Sequence, residues 1–109
     1  MTRLVQMADL HFGVEDSRAL EMSAEWISGS DVDGIVVCGD LSQRGKRSEF
    51  NAAAKWLEQF TVPVLVTPGN HDTPLLDMSA RALAPFRRFW RYFEERRMSI
   101  DLERARVTA

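Results

Sequence analysis

Three short apolar runs set the limits on how this chain can fold. Leu4-Val5-Gln6-Met7-Ala8, Gly34-Ile35-Val36-Val37-Cys38 and Val62-Pro63-Val64-Leu65-Val66 each read as a strand, the second rich in β-branched residues. Between the first two, Leu20, Ala24 and Ile27 fall at i, i+4 and i+7. That is the spacing of one helix face, in a segment from Glu15 to Ser28 that Gly29-Ser30 closes. Between the second and third runs a helix is expected from Lys46 to Phe60, with Phe50, Ala54 and Leu57 on one face. Pro63 stands at the start of its strand, where a missing N–H is tolerated. The pattern is βαβαβ. Apolar runs without alternation favour an α/β fold with a parallel sheet covered on both faces.

A length of 109 residues suits one small domain with a modest core. The formal net charge of -2 gives no whole-chain electrostatic case for nucleic acid or an anionic membrane. A single cysteine, Cys38, excludes an internal disulfide and fits a reducing compartment; its place before Gly39 reads as core filling. The N-terminus reaches Asp9 and His11 too soon for a signal peptide, and no apolar run approaches the ~20 residues of a membrane helix. A cytoplasmic protein with no membrane partner is expected.

The stretch from Ser79 to Arg97 reads as a third helical region. Pro85 suits the start of its main segment, and Phe86, Phe89, Trp90 and Phe93 form one stripe. The interleaved arginines raise a nucleic-acid reading, but the clean helical spacing of the aromatics favours packing, so nucleic acid is not expected as a partner. Trp26 and Trp56 are expected to pack on their helices. Arg104 to Thr108 could begin another strand.

The acidic and histidine residues collect at the strand ends. Asp9 and His11 follow the first strand, Asp40 the second, and Asn70, His71 and Asp72 the third. Ligands of open parallel sheets bind beyond the carboxyl ends of the strands. Carboxylates and imidazole bind divalent transition metals, and an amide oxygen can join them. On an extended chain Asp9 and His11, two apart, point to the same side. Asp40 could bridge two ions held ~3.5–4 Å apart, a pair that clamps a phosphoryl group. Gly39 and Gly69 let the chain turn sharply and bring backbone close to a ligand. Arg44, in the loop just after Asp40, is the candidate for substrate contact.

With ADLHFG, VVCGDLSQRG and VTPGNHD at these positions, the sequence resembles the calcineurin-like metallophosphoesterases from Leu4 to about Phe93, most closely the bacterial members that include cyclic-nucleotide phosphodiesterase-like enzymes. The resemblance implies half of an α/β/β/α sandwich. It implies a hydrolase acting on phosphomonoesters or phosphodiesters through a two-metal-activated hydroxide, with a small phosphoester substrate and two divalent ions (Mn, Fe or Zn). Asp9 and His11 would hold the first metal, Asp40 would bridge, and Asn70 would hold the second. His71 would serve the leaving group, and Asp72 would orient His71.

Family members continue with a further histidine and a Gly-His-x-His motif, whereas this chain has only His11 and His71. Residues 1–109 are therefore expected to be the N-terminal part of such a domain, with weak metal binding and little or no turnover. The alternative is a non-catalytic α/β module acting in binding or oligomerisation. Apolar surface left uncovered by the missing sheet would favour homo-oligomers.

Overall fold

The structure is a computed structural model that describes residues 2–96, 99–102 and 105–108. Strand β1 (Leu4–Met7) leads through helix α1 (Ser17–Ser28) to β2 (Gly34–Cys38), and α2 (Arg47–Glu58) leads on to β3 (Val64–Thr67). The three strands form a parallel sheet in chain order, with Val5 opposite Ile35 and Ile35 opposite Val64. The expected α/β architecture, a parallel sheet flanked by helices, is present.

The two faces of that sheet differ. When strand order follows chain order, right-handed crossovers put both connecting helices on one side. That side carries Ile35, Val37, Val64 and Val66, buried in one cluster with Ile27 of α1 and Phe50, Ala53 and Leu57 of α2. On the other side Leu4 and Gln6 are exposed and Val36 and Cys38 half-buried, although Leu65 is buried. The sheet is thus not covered evenly on both faces as the apolar runs suggested. A partly covered strand can still be wholly apolar, so the sequence pattern does not separate the cases.

Helix α1 is opened by Asp16, whose carboxylate accepts a hydrogen bond from the Ala19 N–H at 3.0 Å. On α2 the inward stripe is Phe50, Ala53 and Leu57, with Ala54 only half-buried. Trp56 packs against Phe60 with ring centroids 5.0 Å apart, but Trp26 is 62% exposed, contrary to the packing expected of it.

The third helical region divides. Helix α3 (Met78–Leu83) ends before Pro85, and α4 (Arg87–Phe93) begins two residues after it. Proline restricts the residue before it and cannot donate, which breaks the run at this point. Phe89 and Phe93 of α4 are buried and pack edge-on against Phe50 of α2. The aromatic stripe is therefore core, as its spacing implied. Strands β4 (Ser99–Leu102) and β5 (Ala105–Thr108) pair antiparallel. Only the second was anticipated, and its expected first residue, Arg104, lies outside the described residues, as does Arg97 at the end of the expected helix.

Candidate metal centre

The polar residues at the strand ends lie on loops that are hydrogen-bonded to one another. Beyond β1 and β2, the Asp9 N–H reaches the Gly39 carbonyl at 3.3 Å, His11 N–H the Asp40 carbonyl at 2.9 Å, and Phe12 N–H the Leu41 carbonyl at 2.9 Å. Gln43 N–H returns to the Phe12 carbonyl at 3.0 Å. The two loops thus continue the sheet's pairing past its regular end and bring their side chains together.

The local backbone is unusual. Asp9, His11 and Asp40 have φ of 57°, 48° and 54°, the left-handed region that costs a non-glycine residue roughly 1–3 kcal/mol. Asp9 and His11 therefore do not share a side by strand alternation, as their spacing suggested. They converge because both are wound left-handed. Such strain persists only where the surroundings over-determine it, and it gathers at functional sites.

The three side chains form one group. A ligand atom from each of Asp9, His11 and Asp40 lies within 4.8 Å of the other two. His11 Nε2 stands 3.8 Å from Asp9 Oδ1 and 4.0 Å from Asp40 Oδ2. These separations are too long for hydrogen bonds. They suit a cation seated between the groups, since two metal–ligand bonds of ~2.0–2.2 Å span up to about 4 Å. The other ring nitrogen of His11, Nδ1, is buried with no hydrogen-bond partner among the described residues. The hard oxygens and the one imidazole fit a divalent ion such as Mn, Fe or Zn.

The third loop comes in from β3. Gly69 has no Cβ, and one there would run into the Asp40 carboxylate. That absence lets the His71 N–H donate to Asp40 Oδ1 at 3.0 Å, which leaves Oδ2 turned toward His11. Gly39, at φ 79°, makes the turn that delivers Asp40. The His71 ring lies edge-on to His11 with centroids 4.8 Å apart. Its Nδ1 is 2.9 Å from the Gln43 carbonyl. A carbonyl can only accept, so Nδ1 carries the proton and Nε2 is left free.

Asp72 does a different job from the one expected of it. It is fully buried, and its two oxygens accept from the N–H groups of Leu41 (3.3 Å), Ser42 (2.8 Å) and Gly69 (2.9 Å) and from the Ser42 hydroxyl (2.9 Å). Burial raises its pKa, opposed by these hydrogen bonds. Asp72 therefore ties the β2 loop to the β3 loop, while the Gln43 carbonyl orients the His71 ring. Nothing in the sequence marks that backbone oxygen for the task. Buried Ser42 was likewise missed, although a serine two residues after Asp40 in a tight loop is a common backbone binder.

Two further candidates, Asn70 and Arg44, lie on the β3 and β2 loops. Asn70 is exposed at the start of the 3₁₀ turn Asn70–Asp72, and its side chain makes no hydrogen bond among the described residues. Arg44 is exposed and lines a neighbouring groove with Lys46 and Arg88. Its N–H is fixed by Glu49 Oε1 at 2.7 Å.

The family model for calcineurin-like phosphoesterase matches residues 2–104. Among curated proteins, the chain is similar to a "Probable cyclic nucleotide phosphodiesterase" of Vesicomyosocius okutanii subsp. Calyptogena okutanii, 29% identical over 76 residues that cover 63% of this chain and 33% of that protein. It is also similar to a "Probable cyclic nucleotide phosphodiesterase" of a Synechococcus strain, 28% identical over 80 residues, 65% of this chain and 31% of the relative. The chain thus spans about a third of the length of the curated relatives it matches.

Proposed function

The chain belongs to the calcineurin-like phosphoesterase family, and from that premise we propose that it carries the first metal site of a metal-dependent phosphoesterase, as the N-terminal part of that domain. The observation that supports this most is the meeting of Asp9, His11 and Asp40 within 4.8 Å on three left-handed residues. A divalent ion held there would polarise a phosphoryl oxygen and acidify a water. Asn70 and Asp40 would help hold a second ion, and the substrate would be a small phosphoester, a cyclic nucleotide by analogy with the names of the relatives.

His71 is the proton donor of this reading. Its Nδ1–H is held by the Gln43 carbonyl, which fixes the ring orientation. Nε2 is the free position, and a second proton taken up there, beside the one on Nδ1, would pass to the departing oxygen. Asp72 acts at a distance from the chemistry by keeping the His71 turn against the Asp40 loop. Arg44, one residue after Gln43, would meet the phosphate from the side of its groove.

The test compares wild type with Asp40→Ala and His71→Ala. Mn²⁺ uptake is measured by calorimetry, and hydrolysis of bis-p-nitrophenyl phosphate is measured alongside it. The expected result is weak binding of Mn²⁺ that Asp40→Ala abolishes and His71→Ala spares. Uptake that is the same in wild type and Asp40→Ala removes the reading. Metal-dependent uptake with no turnover favours the second reading, a binding module that retains the site without completing it; the modest donor set of this chain supports that reading.

A further inference from the structure

We propose that the face built by the start of α2, the α3 segment and α4 docks the protein on anionic phospholipid. The inference uses none of the metal-binding side chains and shares only Arg44 with the reading above.

Two adjoining grooves mark this face. One, of about 270 Å³, is lined by Arg44, Lys46, Leu75, Leu76, Asp77 and Arg88. The next, of about 410 Å³, is lined by Arg47, Leu83, Arg87, Arg88 and Arg91 among others, and shares Pro74 and Arg88 with the first. The net charge of the chain is -2, so this gathering of cations is local.

The cations are available. Among the described residues, none of Arg44, Lys46, Arg47, Arg87, Arg88 and Arg91 forms an ion pair. Arg88 donates to the Gly45 carbonyl at 2.9 Å, which fixes its guanidinium without neutralising it. Asp77 is the acid lining these grooves; its Oδ1 accepts from the Ala80 N–H and the Ser79 hydroxyl, each at 2.9 Å, and its charge is felt by Arg88 alone among these cations.

The same face carries exposed aliphatic side chains. Leu76 is 88% exposed and Leu83 86%, and each lines one of the two grooves. Large apolar side chains clustered in solvent mark an interaction site. Cations rimming aliphatic groups match the two layers of a membrane interface, phosphodiester headgroups above and acyl chains below. A nucleic-acid strand fits less well, because it would need aromatic faces for stacking. The aromatic residues of α4 are turned inward, with Phe89 and Phe93 packed on Phe50. Among the described residues no helix is long and apolar enough to cross a membrane, so the attachment is peripheral.

The test is flotation of the chain with vesicles of phosphatidylcholine alone, or of phosphatidylcholine mixed with phosphatidylglycerol, at low and high salt. The expected result is binding to the mixed vesicles that falls steeply with salt. The double variant Arg87→Glu/Arg91→Glu should weaken it by about 10-fold or more. Leu76→Asp/Leu83→Asp should weaken it comparably, and Arg18→Glu on α1, outside the grooves, should leave it unchanged. All these side chains are exposed, and circular dichroism checks that each variant is folded. Three results overturn the proposal: no binding, or equal binding to neutral and mixed vesicles; binding that Leu76→Asp/Leu83→Asp leaves intact; or capture of a single-stranded oligonucleotide in place of vesicles.

Discussion

Replacing Asp72 by alanine tests how the site is held together. The carboxylate is the acceptor for three backbone N–H groups, those of Leu41, Ser42 and Gly69, and for the Ser42 hydroxyl. The hydroxyl has a second acceptor at 3.2 Å, the His71 carbonyl, so its loss is compensated. The three N–H groups have none. A buried donor left without a partner costs about 1–3 kcal/mol. The Leu41 bond, at 3.3 Å, is the weakest, and water entering the vacated space offsets part of the loss. A destabilisation of about 3–5 kcal/mol follows, a large part of the ~5–15 kcal/mol that holds a domain together. Urea unfolding followed by far-ultraviolet circular dichroism should show the midpoint lowered by about 2 M or more. Asp72→Asn should fall between the two at about 2 kcal/mol, because one oxygen still serves Ser42 while the amide NH2 opposes the Leu41 and Gly69 donors. A loss below about 0.5 kcal/mol in Asp72→Ala would refute the view that this carboxylate joins the two loops.

The direction of the Asp72 pKa gives a pH dependence. With its folded value raised above the ordinary 3.8, its contribution is full below the unfolded value and is lost as pH rises through the folded one. The stability difference between wild type and Asp72→Asn should therefore shrink as pH rises from about 4, and a difference that grows would reverse the assignment of burial as the dominant influence. Gly69→Ala should weaken Mn²⁺ binding about 10-fold or more by displacing Asp40, whereas Gly29→Ala, where a Cβ would meet the Glu25 carbonyl at 3.4 Å, should bind as wild type does. Asp16→Ala should cost about 1 kcal/mol in urea unfolding through loss of the cap at Ala19, and no change would place the start of α1 elsewhere.

The sequence exposed the fold where physics is local. The runs ending at Ala8, Cys38 and Val66 and the helical spacing between them follow from side-chain periodicity, and they carried Asp9, His11, Asp40 and His71 to one edge. What periodicity does not encode is conformation at single residues. The left-handed turns at Asp9 and His11 arise from pairing with residues 39–41, some thirty positions away. The role of Asp72 is hidden for the same reason, since its partners Leu41 and Ser42 are distant in sequence. Trp26 and Trp56 show the limit for packing: both look apolar enough to be buried, but Trp56 packs on the Phe60 ring while Trp26 stays 62% exposed. The division of the third helical region at Pro85 was visible in the proline, yet the length of each half depends on how α4 meets Phe50.

The most direct test of the metal centre is crystallography of the chain grown with Mn²⁺, using anomalous scattering to locate the ion. The expected map has a peak bonded at ~2.0–2.3 Å to Asp9, His11 and Asp40 together. A peak at other residues, or a map without a peak under saturating Mn²⁺, would contradict the assignment.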